Sequence, residues 1–83
     1  MTDQEARQLL TEALAEIAPE VDLDGIDQDA NLQRAADLDS MDMLSLIETV
    51  ARSARIDIPE DDIGRLSTVE SFVAYLHERA AGQ

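Results

Sequence analysis

The sequence predicts an all-α four-helix bundle: three longer helices plus one short helix, with a long loop between the first two. Three observations predict it. Apolar residues recur at helical spacing in three separate stretches, capping boxes head two of them, and nothing in the chain reads as a credible strand. At 83 residues the chain has the size of one small domain, and its apolar fraction of 45% is that of a folded one.

The first helix opens on "TDQE", with Thr2 at the N-cap and Glu5 at the third helical position. Ala6, Leu9, Leu10, Ala13, Leu14 and Ile17 then mark one stripe, and Pro19 ends the helix. Residues 18 to 39, "APEVDLDGIDQDANLQRAADLD", keep no period. Val21, Leu23, Ile26, Leu32 and Leu38 recur irregularly among acids, which predicts a structureless loop pinned to the core by scattered apolar side chains. Loops this long inside a compact domain are uncommon and often functional.

The next helix begins at Ser40 and runs to about Arg55. At roughly 100° per residue, Met43, Leu46, Ile47, Val50 and Ala54 gather on one side as a core stripe. Met41, Leu44, Ser45, Glu48 and Arg52 gather on nearly the opposite side, which is therefore exposed. Single exposed apolar residues need no explanation. Met41 and Leu44, together beside a presented serine, suggest a docking patch.

Downstream, Ile56, Asp57 and Ile58 read as extended, and Pro59 takes the first position of a short helix. Glu60, Asp61 and Asp62 suit that helix's positive end, and Gly64 stops it. "STVE" predicts a second capping box, with Ser67 as N-cap and Glu70 as its partner. Val69, Phe72, Val73, Leu76 and Ala80 form the last buried stripe, and the terminal "AAGQ" frays.

Charge and composition narrow the function. Nineteen acids face six arginines and no lysine, giving −13, a balance that repels nucleic acid and anionic lipid and attracts basic protein surfaces. It also favours a monomer. With no cysteine there are no disulfides, thiolate nucleophiles or cysteine metal sites. The first twenty residues lack a basic start and an apolar core, so no signal peptide is expected. No apolar run approaches the ~20 residues of a membrane span, and a cytoplasmic location is expected.

Ser40, in "DLDSMDML", is the residue that most needs a reason. A nucleophilic serine needs a base, an orienting acid and oxyanion donors. The single histidine, His77, stands on the flank of the last helix and reads as a surface residue, and without lysine a Ser-Lys mechanism is impossible. A plain N-cap explains a serine at a helix start, yet Asp39 or Asp37 fills that role equally well. The other reading makes Ser40 a substrate: a phosphate ester formed there would meet free backbone N–H groups and the helix dipole. A separate candidate is calcium binding by "EVDLDGIDQDAN". Glu20, Asp22, Asp24, Gly25 and Ile26 match the first half of a calcium loop, but Asp27 and Asn31 break the second half. No metal site is assigned.

The stretches "DLDSMDMLSLIETV", "IDIPEDD" and "STVESFVAYL" together resemble the acyl carrier proteins, the phosphopantetheine-binding carrier family, over nearly the whole chain. The resemblance implies one carrier domain over residues 1–83 that is itself not an enzyme. It makes Ser40 the attachment point for 4′-phosphopantetheine, delivered from coenzyme A by a phosphopantetheinyl transferase. The arm ends in a thiol that holds acyl groups as thioesters, so the chain needs no cysteine of its own. Partner enzymes that load or transfer acyl groups, with basic docking patches, would meet Met41, Leu44 and Glu48. Asp37, Asp39, Asp42, Glu60, Asp61 and Asp62 would form the acidic rim. Met43, Leu46, Ile47, Val50, Ile63, Val69, Phe72 and Leu76 would line the core into which an acyl chain folds.

Three departures from the family's fatty-acid members point to a specialised partner set. Asp37 stands where those members carry glycine, Glu48 where a large apolar residue is usual, and Arg52, Ser53 and Arg55 where acids continue. "LDSM" also resembles the D-alanyl carriers of cell-wall modification and the standalone carriers of secondary pathways. The glycine-rich serine signature of peptidyl carriers is absent.

Overall fold

A computed structural model of the chain describes residues 1–81; of the predicted frayed end, Ala80 and Ala81 belong to the last helix, and Gly82 and Gln83 lie outside the described residues. Helix α1 spans Asp3–Ile17, α2 Leu32–Ala35, α3 Ser40–Ala54 and α4 Val69–Ala81. Two 3₁₀ turns, Leu23–Gly25 and Glu60–Arg65, complete the described elements. This is the predicted all-α bundle, with α1 packed against both α3 and α4.

The stripes turn inward as their spacing requires. Ala6, Leu10, Ala13 and Leu14 of α1 meet Leu46, Ile47 and Val50 of α3 and Val69, Phe72 and Leu76 of α4 in one buried core. Ile17, Met43, Ala54 and Val73 pack half-buried at its edge, and Leu9 and Ala80 are half-buried without joining it. Leu66, Ile56 and Tyr75 are buried too, although no periodic pattern marks them. Thr2 and Glu5 close the predicted capping box at 3.1 Å in both directions, and the Thr2 backbone N–H, followed by the Thr2 hydroxyl, holds the Glu5 carboxyl below its ordinary pKa.

Four local expectations are corrected. The box heading α4 sits one residue later than predicted: Thr68, not Ser67, is the cap, and Ser71, not Glu70, is its partner. The Ser71 N–H donates to Thr68 Oγ1 at 3.0 Å and the Thr68 N–H to Ser71 Oγ at 3.1 Å. The shift has a cause in the chain pairing. Ser67 offers its carbonyl to the Leu32 N–H at 2.8 Å, and Asn31 and Thr68 form an isolated antiparallel bridge.

Second, the segment between the first two long helices is not structureless. Asp22 caps the first 3₁₀ turn and Asn31 caps α2, each through its side-chain oxygen. Leu23, Leu32 and Leu38 are buried as pins, with Val21 and Ile26 half-buried. The Glu70 N–H reaches back to the Gln28 carbonyl at 3.0 Å. Third, Pro59 precedes the next helical element rather than occupying its first position. Fourth, that element is a 3₁₀ helix that runs through Gly64 to Arg65 instead of stopping.

Helix α3 ends on Arg55 in the left-handed region, φ 57°, with its N–H on the Ala51 and Arg52 carbonyls. Any Cβ is disfavoured there, and glycine is the usual occupant of such a position. Arg55→Gly is expected to raise stability by up to about 1 kcal/mol, less than the full steric relief because glycine also loosens the unfolded chain. A urea melt against the unsubstituted chain measures it.

Candidate functional site

Ser40 is the first residue of α3 and is exposed. It is not the cap. Asp39 fills that role, accepting the Asp42 N–H on Oδ1 at 2.7 Å while its carbonyl takes the Met43 N–H at 3.0 Å. The Ser40 hydroxyl is thereby released from local duty and makes no hydrogen bond among the described residues.

The approach to Ser40 is built by α2. The Asp37 N–H bonds the Arg34 carbonyl at 3.2 Å and the Leu38 N–H bonds the Gln33 carbonyl at 2.9 Å, while Leu38 anchors in the core. This tight return needs a left-handed residue, and Asp37 supplies it at φ 55°. Aspartate tolerates that region better than most side chains, which explains how the chain manages without glycine here. Ser40 therefore rides on a braced corner, not on a slack loop.

Beside the serine lies a hollow of about 280 Å³ lined by Gln33, Ser40, Met43, Leu44, Ile47 and Ile63. It shares Leu44, Ile47 and Ile63 with a second hollow of about 490 Å³ between α3 and the 60–65 turn, which adds Glu48, Ala51, Asp57, Ile58 and Glu60. Of the eight residues expected to surround an acyl chain, Met43, Ile47 and Ile63 are brought to this trough. Leu46, Val50, Phe72 and Leu76 are instead fully closed in the core, and Val69 borders a separate hollow with Asp3, Gln4 and Arg7. Gln33 and Ile58 were not anticipated. Gln33 sits in the aperiodic stretch, where spacing carries no signal, and Ile58 reads only as part of an extended segment.

The expected docking residues separate in the same way. Met41 is 71% exposed and Leu44 42%, the exposed large hydrophobics of the described chain. Asp37, Asp39, Glu48, Glu60 and Asp61 are exposed and Asp42 is half-buried. Asp62 differs from that rim. It is half-buried and accepts the Tyr75 hydroxyl at 2.7 Å.

The other candidates find local partners. His77 Nδ1 lies 3.2 Å from Asp3 on the exposed surface. In the calcium-like loop, Asp24 pairs with Arg7 at 3.0 Å while Asp22 and Asn31 cap turns. Among the described residues no group of three or more His, Asp or Glu is placed to share a metal ion. Among the described residues no helix is long and apolar enough to cross a membrane.

The family model for the phosphopantetheine attachment site matches residues 8–76, from α1 through α4. An acyl carrier protein of Lactobacillus johnsonii is 32% identical over 76 residues, covering 92% of this chain and 94% of that protein. The chain belongs to the acyl carrier protein family. A second relative, an acyl carrier protein of Streptomyces coelicolor, is 32% identical over 78 residues, covering 90% of this chain and 85% of that one. Members of the family carry covalently attached 4′-phosphopantetheine. For this carrier the residues present fit such a group: a serine hydroxyl is exposed and unbonded at the first position of a fifteen-residue helix.

Proposed function

We propose that Ser40 carries the phosphopantetheine arm and that residues 1–83 act as a single carrier domain, without catalytic activity of its own, shuttling acyl groups between enzymes of fatty-acid, lipid or polyketide-type biosynthesis, in a specialised pathway. The observation that carries this reading is the division of labour at the start of α3. Asp39 makes the cap, so Ser40 has no structural task and its hydroxyl faces solvent.

The arm's chemistry is a terminal thiol that holds acyl groups as thioesters. The chain's contribution is placement. The N–H groups that open α3 and the positive end of its dipole favour a phosphate ester on Ser40. The trough beside it, floored by Met43, Ile47 and Ile63, offers an apolar surface for a cargo chain. Burial there stabilises by about 0.8 kcal/mol per methylene at most, so sheltering stays reversible. Met41, Leu44 and Glu48, with Asp37, Asp39, Asp42, Glu60 and Asp61 around them, make the surface on which basic partner enzymes settle. Exposed rim charges of this kind speed encounter and set orientation more than they add affinity, which suits a shuttle that must let go. A cytoplasmic monomer fits the charge of −13.

The test is incubation with coenzyme A and a broad-specificity phosphopantetheinyl transferase, read by intact mass. One phosphopantetheine is expected on the unsubstituted chain and none on Ser40→Ala. An unchanged mass, with a known carrier modified in parallel, removes the proposal. Mass spectrometry of the protein from its native host then reads the cargo and separates acyl from aminoacyl carriage.

A further inference from the structure

The hollow beside Ser40 has an apolar lining of Met43, Leu44, Ile47 and Ile63, and Gln33 is the lining residue besides Ser40 with a strong hydrogen-bonding side chain. Gln33 differs from the other glutamines of the described residues. Gln4, Gln8 and Gln28 are exposed, and Gln8 bonds the Glu12 carboxylate at 3.0 Å. Gln33 is half-buried, yet its side chain holds no hydrogen bond to another described residue. Among the described residues no buried side-chain polar atom lacks a partner, so the unbonded Gln33 amide is open to solvent and not shut in the core.

The main chain at Gln33 is fixed. Asn31 caps α2, Leu32 is sealed in the core, and the Gln33 carbonyl accepts the Leu38 N–H at 2.9 Å on the tight return to Ser40. The carbonyl thus serves the corner, and the side chain does not. Holding a long, flexible side chain half out of water costs rotamer freedom, and no bond within the chain offsets that cost. A leucine would line the same hollow without leaving an amide unpaired.

We propose that Gln33 is a binding residue for the phosphopantetheine arm, its side-chain amide hydrogen-bonding an amide of the arm. This rests on the reading of Ser40 as the attachment point. Beyond its phosphate, phosphopantetheine carries a dimethyl-substituted carbon, a hydroxyl and two amide groups. The dimethyl carbon suits the apolar lining. Amides set against such a lining lose their bonds to water unless a partner replaces them. With the Ser40 oxygen taken into the phosphate ester, Gln33 is the lining side chain left to supply one. A primary amide matches the need, since it donates and accepts at once and carries no charge. A carboxylate in its place would repel the phosphate, and an arginine would pair with the phosphate instead of the amides. One neutral bond of this kind holds the arm only reversibly, as a group that must travel requires.

The test loads the isotope-labelled chain with an unlabelled arm and reads contacts between the two by filtered nuclear Overhauser spectroscopy. The side-chain amide protons of Gln33 are assigned through its own backbone signals. On loading they are expected to show contacts to protons of the arm, and their exchange with water to slow roughly two- to tenfold. The exposed amides of Gln4 and Gln28 are expected to stay as they were and serve as controls. In Gln33→Leu, contacts between the arm and the methyl groups of Ile47 and Ile63 are expected to weaken by a similar factor, with circular dichroism confirming that the helices persist. The measurement on the unsubstituted chain stands whether or not that variant folds. Gln33 signals that move without any contact to the arm report only the new phosphate charge and overturn the proposal. Undiminished arm contacts in a folded Gln33→Leu overturn it as well. A chain that takes no arm at Ser40 is a different result: it removes the carrier reading, whereas a loaded arm that leaves Gln33 free removes this proposal alone.

Discussion

Leu32→Ala is expected to destabilise the chain by about 2–5 kcal/mol, enough to leave a large share of it unfolded. The size of the effect comes from burial. Leu32 lies in the segment that joins the first two long helices, yet it is completely buried, as closed as Leu10 or Phe72. Its N–H donates to the Ser67 carbonyl, so its backbone ties the connection to the residues before α4 while its side chain enters the core. Truncation leaves a cavity in a fully closed part of the core, and such a site closes poorly. Chemical denaturation gives the number. A loss below 1 kcal/mol would mean that the connection is draped over the bundle instead of packed into it. The substitution should also reach Ser40. Gln33, Arg34 and Leu38, which brace the corner before α3, follow directly from Leu32, so transferase loading of any folded fraction is expected to slow.

What the chain reveals by inspection divides along the same physical line. The three long helices are legible because burial of one face imposes a 3.6-residue period, and their stripes turn inward as counted, the central residues buried and the edges half-buried. The Thr2 and Glu5 box is legible because both of its bonds are local. The α4 box is misread by one residue because "STVE" and "TVES" both offer a plausible pair. A long-range contact decides between them: the Ser67 carbonyl is already engaged by Leu32. Tyr75 escapes the pattern for a related reason. A tyrosine can lie at a core position or a surface one, and its burial depends on Asp62 being within reach of its hydroxyl, which no spacing announces.

The site is legible in its chemistry and less so in its geometry. That a Ser-Lys mechanism is closed to Ser40 follows from the absence of lysine alone, whereas the place of His77, beside Asp3, comes only from the fold. Which residue caps α3 does not follow, because Asp37, Asp39 and Ser40 are all competent caps. The answer comes from the turn that α2 imposes, with Asp37 forced left-handed and Asp39 brought over the first turn. The trough beside Ser40 is less legible still. The wheel that identifies α3's inward face does not say which inward residues meet another helix and which meet the 60–65 turn. Leu46 and Val50 do the former, Met43 and Ile47 border the latter.

Asp62→Ala is expected to cost about 1–3 kcal/mol and to concentrate its effect on the 60–65 turn. The turn buries none of its own residues and has no side-chain cap, so apolar packing holds it weakly. Polar ties to α4 do more: Tyr75 to Asp62 at 2.7 Å, Arg65 to Glu78 at 2.9 Å, and Arg79 to the Asp57 carbonyl. Arg65 and Arg79 also lie 5.0 and 5.9 Å from the centre of the Tyr75 ring. Removing the Asp62 carboxylate strands a buried phenol hydroxyl, whereas Tyr75→Phe removes the hydroxyl and leaves Asp62 free to turn to water. The first change should therefore cost more than the second. Amide exchange across residues 60–65 is expected to quicken in Asp62→Ala while that of α1 keeps its order, and uniform quickening everywhere would show the tie to be global instead. Tyr75 provides its own check, being the single tyrosine in a chain without tryptophan. Burial first, and the bond to Asp62 second, raise its pKa above 10.0. The stability that the neutral phenol contributes is therefore present in full below about pH 10 and is lost as pH climbs through the raised value. Asp62→Ala removes the second cause and should move the phenol's absorbance titration to lower pH. Because Ile63 of this turn is one wall of the trough, a looser turn widens the apolar surface beside Ser40. Cargo protection and local stability should thus decline together in the same variant.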